Sequence, residues 1–369
     1  MSRTPSPAEP VPPRAAGRAS ASANADRRPT LRDVAQAAGV SKSLVSLAFT
    51  SPDSVSPERL ERVLAAADRL GYRPNTVARS LASTRGDFVG ILAADLHNPV
   101  FADIVDAARA ELERANRGSV LLSATSPAPG ERARTIDERA ISLLRDLRPA
   151  AVLIVGTFPD VDRVIAQLET PRCVLASANA PEGTRAAVVS VDNRLGIRLA
   201  VEHLRDLGHR DIAFIGGREP GFARERLEAY ERAMTELDLG DRIRVEECDF
   251  TEPDGCRAAT SLLAADSPPS AIVAVNDLAA IGAVAAVRDA RGRDAGRPPI
   301  AVTGFDDTFI ARLGAISLTS VDPDNVAIGE TAARALLAGD ESGFTSDHST
   351  LVEPRLAVRG TSTPGPFAR

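Results

Sequence analysis

The feature that most constrains this chain is an alternation, from Phe88 onward, of short apolar runs with longer amphipathic stretches. The apolar runs are rich in β-branched residues and predict strands at 88–94, 118–123, 150–155, 172–176, 187–191, 211–215, 271–275, 300–304 and 349–352. The stretches between them predict helices at about 100–116, 131–147, 195–207, 223–237, 254–265, 278–290 and 323–338. Such alternation is typical of βαβ units around parallel sheets. Roughly 280 residues of it exceed one usual domain, so we expect two α/β lobes.

The first 86 residues follow a different pattern. Residues 1–29 are rich in Pro, Ala, Ser and Arg without a hydrophobic period, so we expect a disordered tail. Residues 30–71 predict three short helices, whose ends are marked by capping and turn residues at Thr30 with Asp33, Gly39, Ser41, Ser56 with Pro57, and Gly71. The helical spacing of apolar residues predicts three buried faces, formed by Leu31, Val34, Ala35 and Ala38, by Val45, Ala48 and Phe49, and by Leu60, Val63, Leu64 and Ala67.

The first two of these helices have the dimensions of a helix-turn-helix, with the turn at residues 38–40. In that motif the first helix braces the second, whose N-terminal end enters the major groove of DNA. The pattern alone leaves an ordinary three-helix bundle open as the alternative.

Charge is divided unevenly between the two parts of the chain. Residues 1–86 contain 13 basic and 7 acidic residues, giving +6, whereas the remainder contains 31 and 43, giving −12. A basic head on an acidic body fits a head that meets phosphate and a body that does not. The only lysine of the chain, Lys42, lies at the start of the predicted second helix.

Several other classes of protein are disfavoured. The three cysteines, Cys173, Cys248 and Cys256, are scattered and form no CxxC or Cys/His spacing, so neither a disulfide framework nor a zinc site is expected. No apolar run approaches the roughly 18 residues of a membrane helix. The segment MSRTPSPAEPVPPR lacks the apolar core of a secretory signal. We therefore expect a cytoplasmic protein with no metal or cofactor.

Six segments of the chain carry a family resemblance. The first, residues 30–82, reads TLRDVAQAAGVSKSLVSLAFTSPDSVSPERLERVLAAADRLGYRPNTVARSLA and resembles the head and hinge of the lactose-repressor (LacI) family. The others follow in the family's order and read VGILAADLHNPVFADIVDAA, VVSVDNRLGIRLAVEHLRDLGHRDIAFIGG, AIVAVNDLAAIGAV, IAVTGFDDTFIARL and LTSVDPDNVAIGETAARALL. The resemblance extends over about 330 residues of the chain, which is therefore identified as a member of this family.

The resemblance implies an all-α helix-turn-helix head joined to a two-lobed α/β sensor that is similar to periplasmic binding proteins. It implies a DNA-binding domain at 30–73, a hinge helix and linker at 74–86, and an effector-binding domain at 87–369. Within the sensor we expect an N-lobe of about 87–191 and 320–340 and a C-lobe of about 192–319 and 341–362, with the chain crossing near Asp192 and Ser320. It also implies a homodimeric transcriptional repressor on a pseudo-palindromic operator, controlled by a small-molecule effector.

The DNA-binding residues implied by the resemblance lie in two groups. They are Thr30, Ser41, Lys42, Ser43, Ser46 and Leu47 in the head, and Asn75, Ala78, Arg79 and Leu81 in the hinge. Lys42 and Ser43 match positions that reach base edges, although a plain phosphate contact by Lys42 stays open.

Two leucines depart from the family pattern. Leu47 stands where many members have arginine, and Leu44 replaces a common threonine. Leu47 either meets a thymine methyl group or packs on a neighbouring helix. Leu81 matches a leucine that wedges between base pairs and kinks the duplex. The departures leave the half-site sequence open.

The effector residues implied by the resemblance are expected in the cleft between the lobes. They are Asp95, Asn98, Phe101, Arg226, Asn276 and Asp306. Carboxylate and guanidinium groups suit a polyhydroxylated ligand such as a sugar, and Phe101 could stack on a ring. As alternatives, Arg226 is a solvated charge, and Asp277 and Asp307 are helix caps. Ala176 stands where many sugar-sensing members have aspartate, which also leaves a smaller or less polar ligand open.

Two other functions compete with this interpretation. A transport binding protein would have the same lobes, but the DNA-binding head argues against it. An enzyme with a nucleotide site is suggested only by Gly216-Gly217, because the GxGxxG fingerprint is absent. No nucleophile–base pair stands out, so we expect no catalytic activity.

Overall fold

The computed structural model describes residues 29–73, 88–127, 134–157, 160–170, 172–179, 184, 186–218, 221–294, 296, 299–338 and 349–363. The chain divides into two compact units, residues 1–79 and 80–369. No helix in these ranges is long and apolar enough to cross a membrane.

The head is built from three α-helices and a short 3₁₀ turn. These are α1 (Leu31–Ala38), α2 (Lys42–Thr50), the 3₁₀ turn (Pro52–Ser54) and α3 (Pro57–Leu70). Gly39 ends α1 in the left-handed conformation at φ 66°, as the predicted turn requires. The core contains Val34, Ala35, Val45, Ala48, Val55, Val63, Ala66, Ala67 and Tyr72. The predicted burial of Leu64 is wrong: this side chain is 45% exposed, and Ala66 takes its place in the core.

The sensor unit contains fourteen strands and nine α-helices in its described residues. The strands are β1 (Phe88–Ala93), β2 (Gly118–Ser123), β3 (Thr125–Pro127), β4 (Arg134–Ile136), β5 (Ala151–Val155), β6 (Cys173–Ala176), β7 (Ala187–Val191), β8 (Ile212–Ile215), β9 (Arg244–Glu246), β10 (Ala271–Ala274), β11 (Ala301–Phe305), β12 (Thr319–Asp322), β13 (Ser349–Val352) and β14 (Arg355–Ala357). The helices are α4 (Pro99–Arg114), α5 (Glu138–Leu147), α6 (Val161–Leu168), α7 (Asn193–Asp206), α8 (Phe222–Glu236), α9 (Glu252–Leu263), α10 (Asp277–Arg293), α11 (Phe309–Arg312) and α12 (Asn325–Ala338).

Two six-stranded sheets form two lobes. The first has the order β13-β7-β6-β5-β1-β2 and is parallel throughout, and the second has the order β14-β12-β11-β10-β8-β9. In the second sheet only the edge strand β14 runs antiparallel. The buried faces of the central strands are almost wholly aliphatic, as expected where helices cover both sides of a parallel sheet. The expected head-plus-two-lobe architecture is therefore confirmed.

The lobe boundaries differ from the sequence expectation at the C-terminal end. Residues 349–352 were expected in the C-lobe, but β13 pairs in parallel with β7 in the first sheet. The chain then crosses once more, because β14 pairs with β12 in the second sheet. The return crossing follows β12, so Ser320 lies in the second sheet and α12 packs on α4 in the first lobe. Edge strands of only three or four residues carry no signal of which sheet they join.

Smaller differences concern elements within the first lobe. The helix expected at 131–147 begins only at Glu138, because residues 134–136 pair with β3 and Asp137 caps the helix. Helix α6 is not predicted by the sequence analysis, which expects no helix between the strands at 150–155 and 172–176.

Candidate functional sites

The exposed face of α2 is the candidate DNA-reading surface of the head. Lys42, Ser43, Ser46 and Leu47 are exposed, whereas Val45 and Ala48 are buried in the core. The side chain of Leu47 is 37% exposed, and Leu44 packs against the core instead.

Thr30 and Ser41 cap the two helices of the motif. The Ser41 hydroxyl accepts a hydrogen bond from the Leu44 backbone N–H at 3.1 Å. Thr30 forms a reciprocal capping box with Asp33, whose carboxylate accepts from the Thr30 N–H at 2.7 Å. The four hinge residues, Asn75, Ala78, Arg79 and Leu81, lie outside the described residues.

The candidate effector site lies where the strands of the second sheet end. Ligands bind open α/β sheets in the crevice beyond the carboxyl ends of their strands. Here Val275 and Asn276 follow β10, Asp306 follows β11, and Arg226 reaches in from the first turns of α8. The predicted alternative that Arg226 is a solvated charge is wrong, because the residue is only 4% exposed.

Arg226 is the centre of a buried polar network. Its Nε donates to Asn193 Oδ1 at 2.8 Å, and its Nη1 donates to the Val275 carbonyl at 2.6 Å and to Asp306 Oδ1 at 3.4 Å. The guanidinium carbon lies 3.6 Å from the centre of the Phe305 ring, in cation–π contact. These contacts fix the plane of the guanidinium, because Arg presents its donors in a rigid fork.

Burial sets the charges in this network. Burial raises the pKa of Asp306 to about 6, against the opposing effect of Arg226. Burial and the charge of Asp306 together raise the pKa of Asp277 to about 7, although Ser320 and Thr308 donate hydrogen bonds to its carboxylate. Burial lowers the pKa of Arg226, but guanidinium groups start so high that this one stays charged.

Asp306 also has an unusual backbone. Its φ of 108° lies in a region that residues with a side chain rarely adopt. Its backbone N–H donates to the Val321 carbonyl, and its carbonyl accepts from Asn325 Nδ2 at 3.1 Å. Strain of this kind clusters at functional sites, which favours Asp306 as a ligand contact.

Two of the expected effector residues are helix caps. Asn98 Oδ1 accepts from the Val100 N–H at the start of α4. Asn276 Oδ1 accepts from the Ala279 N–H at the start of α10, while its Nδ2 donates to the Phe250 carbonyl. The side-chain oxygens of both residues are therefore used in capping a helix, and the Asn276 nitrogen also makes a hydrogen bond within the protein.

Asp277 and Asp307, the alternative helix caps, instead accept side-chain hydrogen bonds and form ion pairs. Asp277 is the first residue of α10 and accepts hydrogen bonds from Thr308 and Ser320. Asp307 forms ion pairs with Arg359 at 2.6 Å and with Arg312 at 3.2 Å.

The corresponding edge of the first lobe is largely apolar. Ala176 ends β6 and is fully buried. A Cβ at Gly156 would lie 2.5 Å from the Phe101 ring and 2.9 Å from the Ala94 side chain, and the φ of Gly156 is 86°. Only glycine fits here, so Phe101 closes over the ends of β1 and β5. Asp95 is polar and half-buried, and its carboxylate accepts from the His97 backbone N–H at 2.9 Å.

Three residues of the site were not predicted from the sequence. Asn193 orients Arg226, Phe305 stacks on it, and Glu225 accepts from Asn193 Nδ2 at 3.0 Å. Phe305 lies in the motif GFDD, where a strand-end aromatic beside an acidic residue could have indicated it. Asn193 and Glu225 become neighbours only through the packing of α7 on α8.

Comparisons with known proteins agree with this architecture. Residues 30–75 match the model of bacterial regulatory proteins of the lacI family, and residues 201–362 match a periplasmic binding protein-like domain. The transcriptional regulator CelR of Thermobifida fusca is 32% identical over 344 residues, which cover 90% of this chain and 98% of that protein. The regulator GalR of Escherichia coli K12 is 30% identical over 340 residues, which cover 91% and 96%.

Solved structures give the same result. The lac repressor dimer bound to operator and the anti-inducer ONPF has a TM-score of 0.77 and 26% identity, covering 91% of this chain and 99% of that one. The CelR–cellobiose complex has a TM-score of 0.63 and 27% identity, covering 90% and 100%.

The fold and the exposed helix-turn-helix thus define a DNA-binding transcriptional regulator with a two-lobed sensor. The chain belongs to the lacI family.

Proposed function

We propose that this chain is a repressor that binds a pseudo-palindromic operator as a homodimer. A small-molecule effector that binds between the lobes of the sensor changes its affinity for the operator. The observation that carries the DNA-binding half is the face of α2, where Lys42, Ser43, Ser46 and Leu47 are exposed together. Their solvent-facing position is the one that a recognition helix needs in the major groove. Thr30 and Ser41 add helix N-termini that suit phosphate.

The hinge completes the proposed DNA interface. In this proposal residues 74–86 form a hinge helix and linker, and Asn75, Ala78, Arg79 and Leu81 contact the minor groove. The relative solved with operator is a lac repressor dimer, which supports both the dimer and the operator in the proposal.

The effector is a polyhydroxylated small molecule, a sugar or a related metabolite. Arg226 and Asp306 present a donor and an acceptor side by side, an arrangement that brackets neighbouring hydroxyl groups. In this proposal Asp95 and Phe101 contact the effector from the first lobe, and Asn98 adds the amide nitrogen that its cap does not use. Asn276 adds only the second N–H of the Nδ2 that donates to the Phe250 carbonyl. The complex of the relative CelR with cellobiose supports the sugar class. The apolar edge formed by Phe101 and Ala176 favours a ligand with one apolar face.

The proposal includes no catalytic step and places the protein in the cytoplasm, where its DNA target is. The relatives are transcriptional regulators, which supports a role in binding rather than catalysis. Effector binding and operator binding are coupled by one free energy, so each changes the affinity for the other by the same factor.

The test is selection of genomic DNA fragments by the purified protein, with and without a cell metabolite extract. Recovery of a near-palindrome whose yield changes with the extract supports the proposal, and the neighbouring operon then indicates the effector. Recovery of random fragments at every salt concentration overturns it.

A pair of variants separates base reading from charge in this selection. Lys42→Ala is expected to change the recovered half-site, whereas Arg69→Ala, an exposed cation at the end of α3, is expected to leave it unchanged. If both variants recover the half-site of the unaltered protein, Lys42 contacts phosphate only.

A further inference from the structure

One polar contact joins an element of the first lobe directly to an element of the second. Asn179 follows β6 of the first lobe, and its Nδ2 donates to Glu225 Oε2 on α8 of the second lobe at 3.5 Å. The Asn179 backbone N–H donates to the Thr157 hydroxyl, which fixes the loop after β6 to the loop after β5.

The second lobe is shaped to receive this side chain. Gly221 precedes α8 with a φ of 80°, and a Cβ at this position would lie 3.0 Å from Asn179 Oδ1. The Asn179 side chain thus donates to Glu225 in the first turn of α8 and also lies close to the backbone of Gly221, directly before the helix. Such a fit holds the loop of one lobe against the helix of the other.

Glu225 also links this contact to Arg226, through Asn193. The same oxygen, Oε2, accepts from Asn193 Nδ2 at 3.0 Å, and Asn193 Oδ1 accepts from Arg226 Nε at 2.8 Å. Asn193 is only 1% exposed, so its amide has few other ways to satisfy its hydrogen bonds. The orientation of Arg226 therefore depends on Glu225 through one buried amide.

Electrostatics act in the same direction. The pKa of Arg226 is lowered by burial and raised again by the charges of Asp306 and Glu225. A carboxylate at position 225 thus stabilises the buried cation as well as orienting it.

We propose that Glu225 is a positioning residue that couples closure of the lobes to effector recognition. It accepts from Asn179 only when the lobes are closed, and in that state Asn193 holds Arg226 in the orientation that meets the effector. This inference rests on the proposed function, since it gives the effector site its conformational link. Because Glu225 is linked to Arg226 through Asn193, its effect in this proposal is on the orientation of Arg226.

The test exchanges charge across the contact in the full-length protein. Asn179→Asp sets two carboxylates against each other, so we expect the lobes to open. The double variant Asn179→Asp with Glu225→Gln restores a donor–acceptor pair, and its Gln oxygen still accepts from Asn193. Glu228→Gln removes an exposed carboxylate one turn further along α8 and is the matched control.

Amide hydrogen exchange measures the opening, because protection tracks the free energy of local opening. We expect exchange around residues 157, 179 and 221–226 to quicken about tenfold in Asn179→Asp, which corresponds to a cost of ~1.4 kcal/mol. The double variant should return to the original rate and Glu228→Gln should not depart from it. Unchanged exchange in Asn179→Asp, or no recovery in the double variant, overturns the contact.

A second measurement tests the link to Arg226. In Glu225→Ala, the NMR signal of the Arg226 Nε–H should exchange with water several-fold faster, whereas in Glu225→Gln it should stay protected. Equal protection in both variants overturns the link. Neither measurement needs DNA or effector, so a failed fragment selection would count against the proposed function and not against these residues.

Discussion

The two lobes of the sensor share one strand order and differ at the edge where a ligand would sit. In each six-stranded sheet the first five strands, numbered along the chain within that sheet, follow the order 2-1-3-4-5, and the sixth lies beside the fifth. At the carboxyl edge of the first lobe lie Ala94, Gly156 and Ala176, whereas the second lobe presents Arg226 and Asp306. The strand order fixes where a site lies, and the residues at the strand ends decide its chemistry.

The difference has an energetic side. A buried ion pair costs desolvation, and this cost is offset only when every donor and acceptor finds a partner. The second lobe offsets this cost through Asn193 and the Val275 carbonyl, which accept from Arg226, and through the Phe305 ring beside its guanidinium. The first lobe avoids the cost by packing small side chains against Phe101. The second lobe therefore supplies directional contacts, and the first supplies shape.

The largest effect is expected from Arg226→Ala. The change leaves Asp306 and Asn193 buried without their partner, so we expect a loss of about 3–5 kcal/mol in the free energy of unfolding. Urea denaturation of the sensor measures it, and metabolite-dependent DNA binding should be lost as well. Arg224→Ala, at the exposed position two residues earlier, is the control. A loss below ~1 kcal/mol with a normal ligand response would show that the polar edge does not depend on Arg226.

Introducing a carboxylate at the apolar edge should have the next largest effect. In Ala176→Asp the new group lies at a fully buried position, so we expect a loss of about 2–3 kcal/mol in the free energy of unfolding. Ala176→Asn separates charge from size and should cost less. A stable Ala176→Asp variant with a new response to monosaccharides would mean that the first lobe still has room for a sugar contact.

How much of this comparison is visible in the sequence depends on the range of the interactions. The alternation of strands and helices and the terminal residues Thr30, Ser41 and Gly71 are local signals, and each predicts its element. Arg226 and Asp306 came from motif resemblance, and they contact one another although 80 positions separate them. Ala176 at the edge was also visible as a departure from the family pattern.

What the sequence did not show arises from packing between distant segments. Which sheet β13 and β14 each join depends on which sheet edge is open, and no residue in strands of four and three residues encodes that. Asn193 and Glu225 act only because α7 packs on α8. The family resemblance implies a ligand contact for Asn98 and Asn276, whereas their position before a helix equally predicts a cap.

The buried carboxylates of the second lobe should make its stability depend on pH. The folded-state pKa of Asp277 is about 7 and that of Asp306 about 6, both above the unfolded value of 3.8. The folded state therefore holds more protons between pH 4 and 7, and stability falls as pH rises through that window. In Asp277→Asn the fall should shrink by about 1–2 kcal/mol, as urea titrations at pH 5 and pH 7.5 would measure. If the free energy of unfolding changes with pH equally in both proteins, the protonation of Asp277 does not contribute to stability.

The smallest effect is expected at Asn98, where substitutions test whether its side chain only caps α4 or also contacts the effector. As the cap of α4 it accepts from the Val100 N–H at 3.2 Å, so Asn98→Ala should cost about 1 kcal/mol and Asn98→Asp almost nothing. If Asn98 is only a cap, Asn98→Asp keeps the metabolite response unchanged. A response that is lost in Asn98→Asp while stability is retained would mean that its amide donates to the effector. The first lobe would then contribute a directional contact, and the contrast between the two edges would be one of degree.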